Sequence, residues 1–324
     1  MTAAREIPVP RTSGVLRGGR QETVLRWLSL AVAVAIVMLI GSGGWVRLSG
    51  SGLGCPTWPD CTATSLIASA SYHAVVEFVN RCVITAVGVL AGAAVLSTIL
   101  RRPRRRDLIW PAVGLIAGYI GEAVLGGLTV LLKLAPALVA AHLVLAMLLL
   151  ADAVILYWRS GGREKAGLAA VDRSTVLLSD LMLAAMALVV IAGTVATGSG
   201  PRSGSPGTAR FGISFRAAVE LHASTGIFLF GLTVAMFFLL RSVRAPRPAW
   251  RRYGAVAGLM ALQGSLGYAT YFSDVQADPT EAHIVVGALL LVALIRLRLG
   301  LRCRQEMQLA AGTEMIHGGD HVAA

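Results

Sequence analysis

VAAHLVLAMLLL at 139–150 and TEAHIVVGALLL at 280–291 are the two stretches on which the architecture turns. His142 and His283 hold matching places in them. Upstream, Glu122-x-x-Leu125-Gly126 parallels Gln263-x-x-Leu266-Gly267 at the same offset. Earlier still, Ser49-Gly50-Ser51-Gly52 resembles Thr197-Gly198-Ser199-Gly200. One short apolar match arises by chance in any hydrophobic chain, but several in the same order at nearly constant offset mark an internal repeat.

Both stretches belong to long apolar blocks. The chain has 324 residues, 56% hydrophobic and only 14% charged, with a mean hydropathy of +0.71. That is too little charge to clothe a soluble domain of this size. Eight blocks stand out, at 27–46, 82–100, 108–130, 137–157, 176–196, 219–240, 253–271 and 283–299. Most approach the roughly 20 residues a helix needs to cross the hydrocarbon. The expected fold is an all-α integral membrane protein with eight transmembrane helices. The repeat divides them into two four-helix halves, 27–167 and 168–303, parallel because four crossings restore the orientation. Residues 1–26 and 304–324 are then terminal tails. The first block runs into Gly41, Gly43, Gly44 and a polar loop with no small-residue cleavage site, so it reads as a retained helix.

The net charge of +12 raises the possibility of nucleic-acid binding, but the arginines argue against it. They gather in 1–26, 101–107, 158–175, 241–252 and 296–304, short segments that all fall on one side if the blocks alternate. This bias places both termini in the cytoplasm. A prokaryotic inner membrane fits the pattern.

Of the six histidines, His317 and His321 lie in the polar C-terminal tail and read as solvent-exposed. His222 opens the sixth block and His283 the eighth, so their imidazoles are expected at similar depth, where they can meet across a half-bundle. Ionisable groups inside a membrane are costly and usually functional. Two readings stand for the pair: axial ligands of a haem, or interfacial histidines bonded to carbonyls or headgroups. No CxxCH occurs, so covalent c-type attachment has no support. The N-terminal half differs here, carrying Asn80 at the place of His222. Glu77 lies one turn before Asn80 and Arg81 just after it, with His73 a further turn back. A helix presents Glu77 and Asn80 on nearly one face. This group reads either as a reactive site with His142 or as an interfacial Glu77–Arg81 anchor. Cys55 and Cys61, six apart in GSGLGCPTWPDC, are expected to form a disulfide outside the cytoplasm. Cys82 and Cys303 read as free thiols.

The stretches GGWVRLSGSGLGCPTWPDC at 43–61, HAVVEFVNR at 73–81, GGLTVLLKLAPALVAAH at 126–142, TGSGP at 197–201 and ELH at 220–222 resemble the haem A synthase family, CtaA/COX15-like. The resemblance implies oxidation of the C8 methyl group of haem O to a formyl group, giving haem A. It implies a haem b held by His222 and His283, and a substrate haem ligated by His142, with Glu77 as the essential carboxylate. Asn80 and Arg81 would border that substrate site, Arg81 supporting a propionate or the carboxylate. The family pattern is Glu-x-x-His-Arg, so Asn80 is a departure, an amide being a much weaker iron ligand than imidazole. Implied partners are haem O, an unidentified electron donor, a haem O synthase or terminal oxidase, and the lipid bilayer, with no nucleic acid. Two other functions share His222 and His283: a diheme electron-transfer cytochrome and a haem transporter or chaperone.

Overall fold

The apolar blocks fold as helices that begin and end where local chemistry dictates. The computed structural model describes residues 13–161 and 169–303, so the tail 304–324 with His317 and His321, and the expected boundary at 167/168, lie outside the described residues. Eight α-helices follow in order among the described residues: α1 Ser13–Leu48, α2 Tyr72–Leu100, α3 Ile109–Leu131, α4 Pro136–Ser160, α5 Arg173–Ser199, α6 Phe215–Ser242, α7 Arg247–Phe272 and α8 Ala277–Leu299. Ser71 and Ser214 cap α2 and α6 by accepting from the backbone N–H groups of Ala74 and Ala217. Pro136 starts α4, where its missing N–H costs nothing.

Seven of the eight are long and apolar enough to cross a membrane, which makes this a multi-pass membrane protein. The seven exclude α7, whose 26 residues include Arg247, Arg251 and Arg252, Gln263 and three tyrosines. Two further differences from expectation concern helix ends. Residues 13–26, expected as tail, are already helical, and α1 continues through Gly41, Gly43 and Gly44 to Leu48. The helix persists there because Gly41 and Gly44 receive the Glu281 side chain of α8; a Cβ at Gly41 would lie 3.2 Å from Glu281 Oε1. The fold is all-helical as expected, with two three-residue strands added. Strands β1 Ala169–Val171 and β2 Leu301–Cys303 pair in parallel, with Ala169 opposite Leu301, tying the start of α5 to the end of α8. Strands this short leave no period in the sequence.

Consecutive helices pair as α1–α2, α3–α4, α5–α6 and α7–α8. Contacts α1–α4 and α5–α8 close each set of four, while α1–α8, α4–α5 and α4–α8 join the sets. One apolar cluster joins α1, α2, α3 and α4, with Ile36, Leu115, Leu150 and Leu156 buried; a second joins α5, α6, α7 and α8 around Met182, Leu229, Met236 and Leu294. The turns α3–α4 and α7–α8 share one backbone solution. Lys133 and Leu134 adopt positive φ, and so do Asp274 and Val275, at the offset that relates His142 to His283. Leu134 N–H returns to Thr129 O and Val275 N–H to Thr270 O, closing both helices alike. These turns lie at the same end of the bundle as loops 49–71 and 200–214, here called the loop face.

Candidate functional site

Three histidines stand in the second turns of helices that start at the loop face: His142 on α4, His222 on α6 and His283 on α8. Each looks across at a glycine. A Cβ at Gly126 of α3 would lie 3.5 Å from His142, at Gly193 of α5 3.0 Å from His222, and at Gly267 of α7 3.2 Å from His283. Small residues there let the imidazoles occupy the interhelical space.

His222 and His283 come together as expected, ring centroids 6.0 Å apart and planes at 77°. His222 Nδ1 donates to Val189 O at 3.1 Å, which fixes the tautomer and leaves Nε2 as the unprotonated nitrogen. His283 Nε2 meets the Gln263 amide nitrogen at 3.1 Å, and its Nδ1 is buried without a partner among the described residues.

His142 has a different setting. Its Nδ1 stands 2.7 Å from Glu122 Oε2 on α3. Glu122 and Gln263 thus address their histidines from matching repeat positions, a carboxylate in one case and an amide in the other. His142 and Glu122 line a cavity of about 1080 Å³, its open mouth included. Its walls are mostly apolar, from Ile36 and Leu39 of α1 to Leu143 and Leu149 of α4, with Asn80, Tyr119 and Arg47 as the other polar groups of note. A largely apolar enclosure with a few convergent polar groups is the usual form of a small-molecule or cofactor site. Asn80 Oδ1 accepts from Ser42 Oγ at 2.7 Å, so the amide is held against α1.

Glu77 and Arg81 meet each other rather than the cavity. Arg81 Nη2 donates to Glu77 Oε1 at 2.7 Å, and the Cys55 N–H donates to Glu77 Oε2 at 2.8 Å. Arg81 also donates to the carbonyls of Cys55, Thr57, Pro59 and Asp60. Neither residue lines the cavity; Glu77 is 5% exposed, one turn nearer the loop face than Asn80. Together they clamp the loop closed by the Cys55–Cys61 disulfide. Gly54 lets that loop lie directly on the first turn of α2, where any side chain would collide with the His73 carbonyl. His73 Nδ1 pairs with Ser51 Oγ at 2.9 Å and stands apart from His142 in its contacts. Cys82 is a free, exposed thiol.

Sequence reasoning did not assign roles to Glu122, Gln263, Arg47 or Tyr119. For the first two a signal existed, since they share the repeat offset of the histidines they touch. Fold and site together define a multi-pass helical membrane protein with paired intramembrane histidines and a separate apolar cavity bearing a third. The chain belongs to the COX15-CtaA family, Cytochrome oxidase assembly protein, whose model matches residues 26–201. It is 27% identical over 191 residues to Heme A synthase of Shewanella oneidensis, covering 54% of this chain and 56% of that protein. It is 30% identical over 143 residues to Heme A synthase of Symbiobacterium thermophilum, covering 44% and 46%. The chain thus spans about half the length of the curated relatives it matches.

Proposed function

We propose that the protein oxidises the C8 methyl group of haem O to a formyl group, with a resident haem b relaying electrons. The observation that carries this reading is the pairing of two unlike histidine sites in one bundle: an apolar cavity at His142 and a facing pair of imidazoles at His222 and His283. Methyl to formyl is a four-electron oxidation, so the chain needs a place for the reacting group and a separate electron relay.

The residues suit both groups. The facing imidazoles of His222 and His283, ring centroids 6.0 Å apart, would hold the haem iron. The buried, unpartnered Nδ1 of His283 and the glycines facing both rings favour an occupant there. For the substrate, the mainly apolar cavity supplies a water-poor enclosure, and His142 supplies the iron ligand. When bound, iron supplies the oxidising chemistry that side chains lack. Glu122, 2.7 Å from Nδ1, orients the His142 ring. Glu77 serves as the carboxylate that manages protons at the loop face, one turn outward from Asn80. Asn80, held by Ser42, leaves His142 as the sole strong protein ligand in the cavity.

The finer architecture belongs to the same proposal. The α7 helix is the eighth crossing, since its 26 residues extend about 39 Å at 1.5 Å per residue. Two four-helix halves related by the repeat are supported by the matched left-handed turns and the matched contacts of Glu122 and Gln263. Both termini face the cytoplasm of an inner membrane, because the arginine-rich segments lie opposite the disulfide loop. Electrons come from an unidentified donor, and a haem O synthase and terminal oxidase are the natural neighbours.

The test is Glu77→Ala, assayed in membranes for haem content by extraction and chromatography. It should keep the haem b signal while haem O or a hydroxylated intermediate replaces haem A. Normal haem A yield at matched protein and haem b content would remove Glu77 from the reaction. Haem b without any haem A even in the unmutated protein would favour the electron-transfer cytochrome.

A further inference from the structure

Resting on the haem chemistry proposed above, we infer that a basin lined by Arg47, Arg202 and Arg210 at the loop face is an oxyanion site that holds the propionate carboxylates of the substrate. The basin has a volume of about 1010 Å³, its open mouth included, and lies against the end of α1 and the loop 201–210. Its lining includes three arginines and the hydroxyls of Ser49, Ser203, Ser205 and Thr208, with no carboxylate among the described residues. None of the three arginines has an acidic partner among the described residues. Three unneutralised guanidinium groups around one concavity make a standing positive potential.

What holds these arginines is backbone. Arg47 donates through Nε to Arg202 O and through Nη2 to Thr197 O. Arg202 donates to Val275 O and Leu48 O, and Arg210 to Pro201 O. Those bonds fix each guanidinium in place yet use at most two of its five N–H groups. The remaining donors suit carboxylate or phosphate oxygens, for which the planar fork is shaped. Gly204, with φ of +104°, permits the turn that brings the loop over this end of α1, and Gly52 N–H donates to its carbonyl.

Arg47 is the link to the substrate, because it lines both the basin and the apolar cavity of His142. An apolar chamber opening beside a cationic, hydroxyl-rich one matches an amphiphile whose two anionic groups sit on one edge. Arg81, the sequence-based choice for a propionate, is already engaged by Glu77 and four loop carbonyls. The consequence for the reaction follows from haem structure. The methyl group that becomes the formyl shares a pyrrole ring with one propionate, so anchoring the carboxylates beside Arg47 keeps that methyl at the loop-face end. Glu77 and the disulfide loop lie at that end.

A phospholipid phosphate offers the same oxyanion chemistry, and the test separates the two. Full-length protein carrying its C-terminal haem is placed in phosphatidylcholine nanodiscs. It is titrated with iron protoporphyrin IX and with its dimethyl ester, and binding is followed by tryptophan quenching. The free acid should bind about tenfold or more tightly than the ester, as loss of charge-assisted hydrogen bonds requires. Arg202→Gln should close that gap, Arg202→Lys should narrow it, and the remote Arg216→Gln should preserve it. Comparing acid with ester on the unmutated protein needs no variant to fold. Equal binding of both forms there overturns the inference while leaving the cavity as a haem site. If neither form binds, the proposed function fails and the propionate site with it. A phosphatidylglycerol molecule retained in native mass spectra and lost in Arg202→Gln, with no acid–ester gap, keeps the oxyanion site but assigns it to lipid.

Discussion

Helices α1–α4 and α5–α8 place a histidine in the same way and then surround it differently. His142 and His283 share the second turn of their helix, a facing glycine, a preceding left-handed turn and a polar partner one helix back. In α5–α8 the imidazole is met by a second histidine and a neutral amide. In α1–α4 the second histidine is replaced by Asn80, the amide by Glu122, and a cavity of about 1080 Å³ opens. Two facing imidazoles suit a group that is held and cycled in charge. One imidazole backed by a carboxylate beside an open cavity suits a group that enters, reacts and leaves. On the proposed reading, changes at two matching positions separate the two roles.

The largest effect that can break this comparison is at His283. In His283→Ala the low-spin absorbance of reduced protein should disappear entirely, since His222 alone leaves iron one ligand short. An unchanged reduced spectrum would reject the pair as axial ligands. Next comes Glu122→Gln, which gives α1–α4 the amide of its counterpart. Loss of an outer-shell carboxylate on a ligating histidine usually costs about 10–100-fold. Haem A formation should fall by that factor while the α5–α8 haem spectrum stays intact. Unaltered turnover would show that the Glu122 contact with His142 does not matter to the chemistry. The smallest effect concerns the glycines. Gly193→Ala sets a Cβ 3.0 Å from the His222 ring, tight enough to displace it, so haem b content should drop a few-fold. Gly264→Ala on α7, where no atom lies within 4 Å of the added carbon, should leave haem content unchanged. Equal behaviour of the two substitutions would mean that His222 is not held by packing against α5.

Much of the helical framework was legible in the chain. Hydropathy located all eight helices, since an apolar run of about 20 residues has few alternatives in a bilayer. The weakest block, 253–271, became the helix that falls short as a membrane span. Arg251 and Arg252, tyrosines and glycines dilute α7 while its packing on α8 keeps it helical. The β1–β2 pair escaped notice because pairing two strands so far apart in the chain needs partners that only the closed bundle supplies.

The site divides along the same line. Repeat arithmetic put His142 and His283 in register and paired His222 with His283, and a separation of six residues placed Cys55 near Cys61. Those are properties of spacing along the chain, and a helix converts spacing directly into depth and face. What lies opposite a given face is set by how helices pack, and local sequence does not encode it. So the chain alone could not say that Arg81 is consumed by loop carbonyls, or that Glu77 braces the disulfide loop instead of lining the cavity. Nor could it say that Glu122 reaches His142, or that Arg47 borders two cavities at once. Depth came from the sequence; opposition came from the fold, because contacts between distant segments exist only after several helices have packed together.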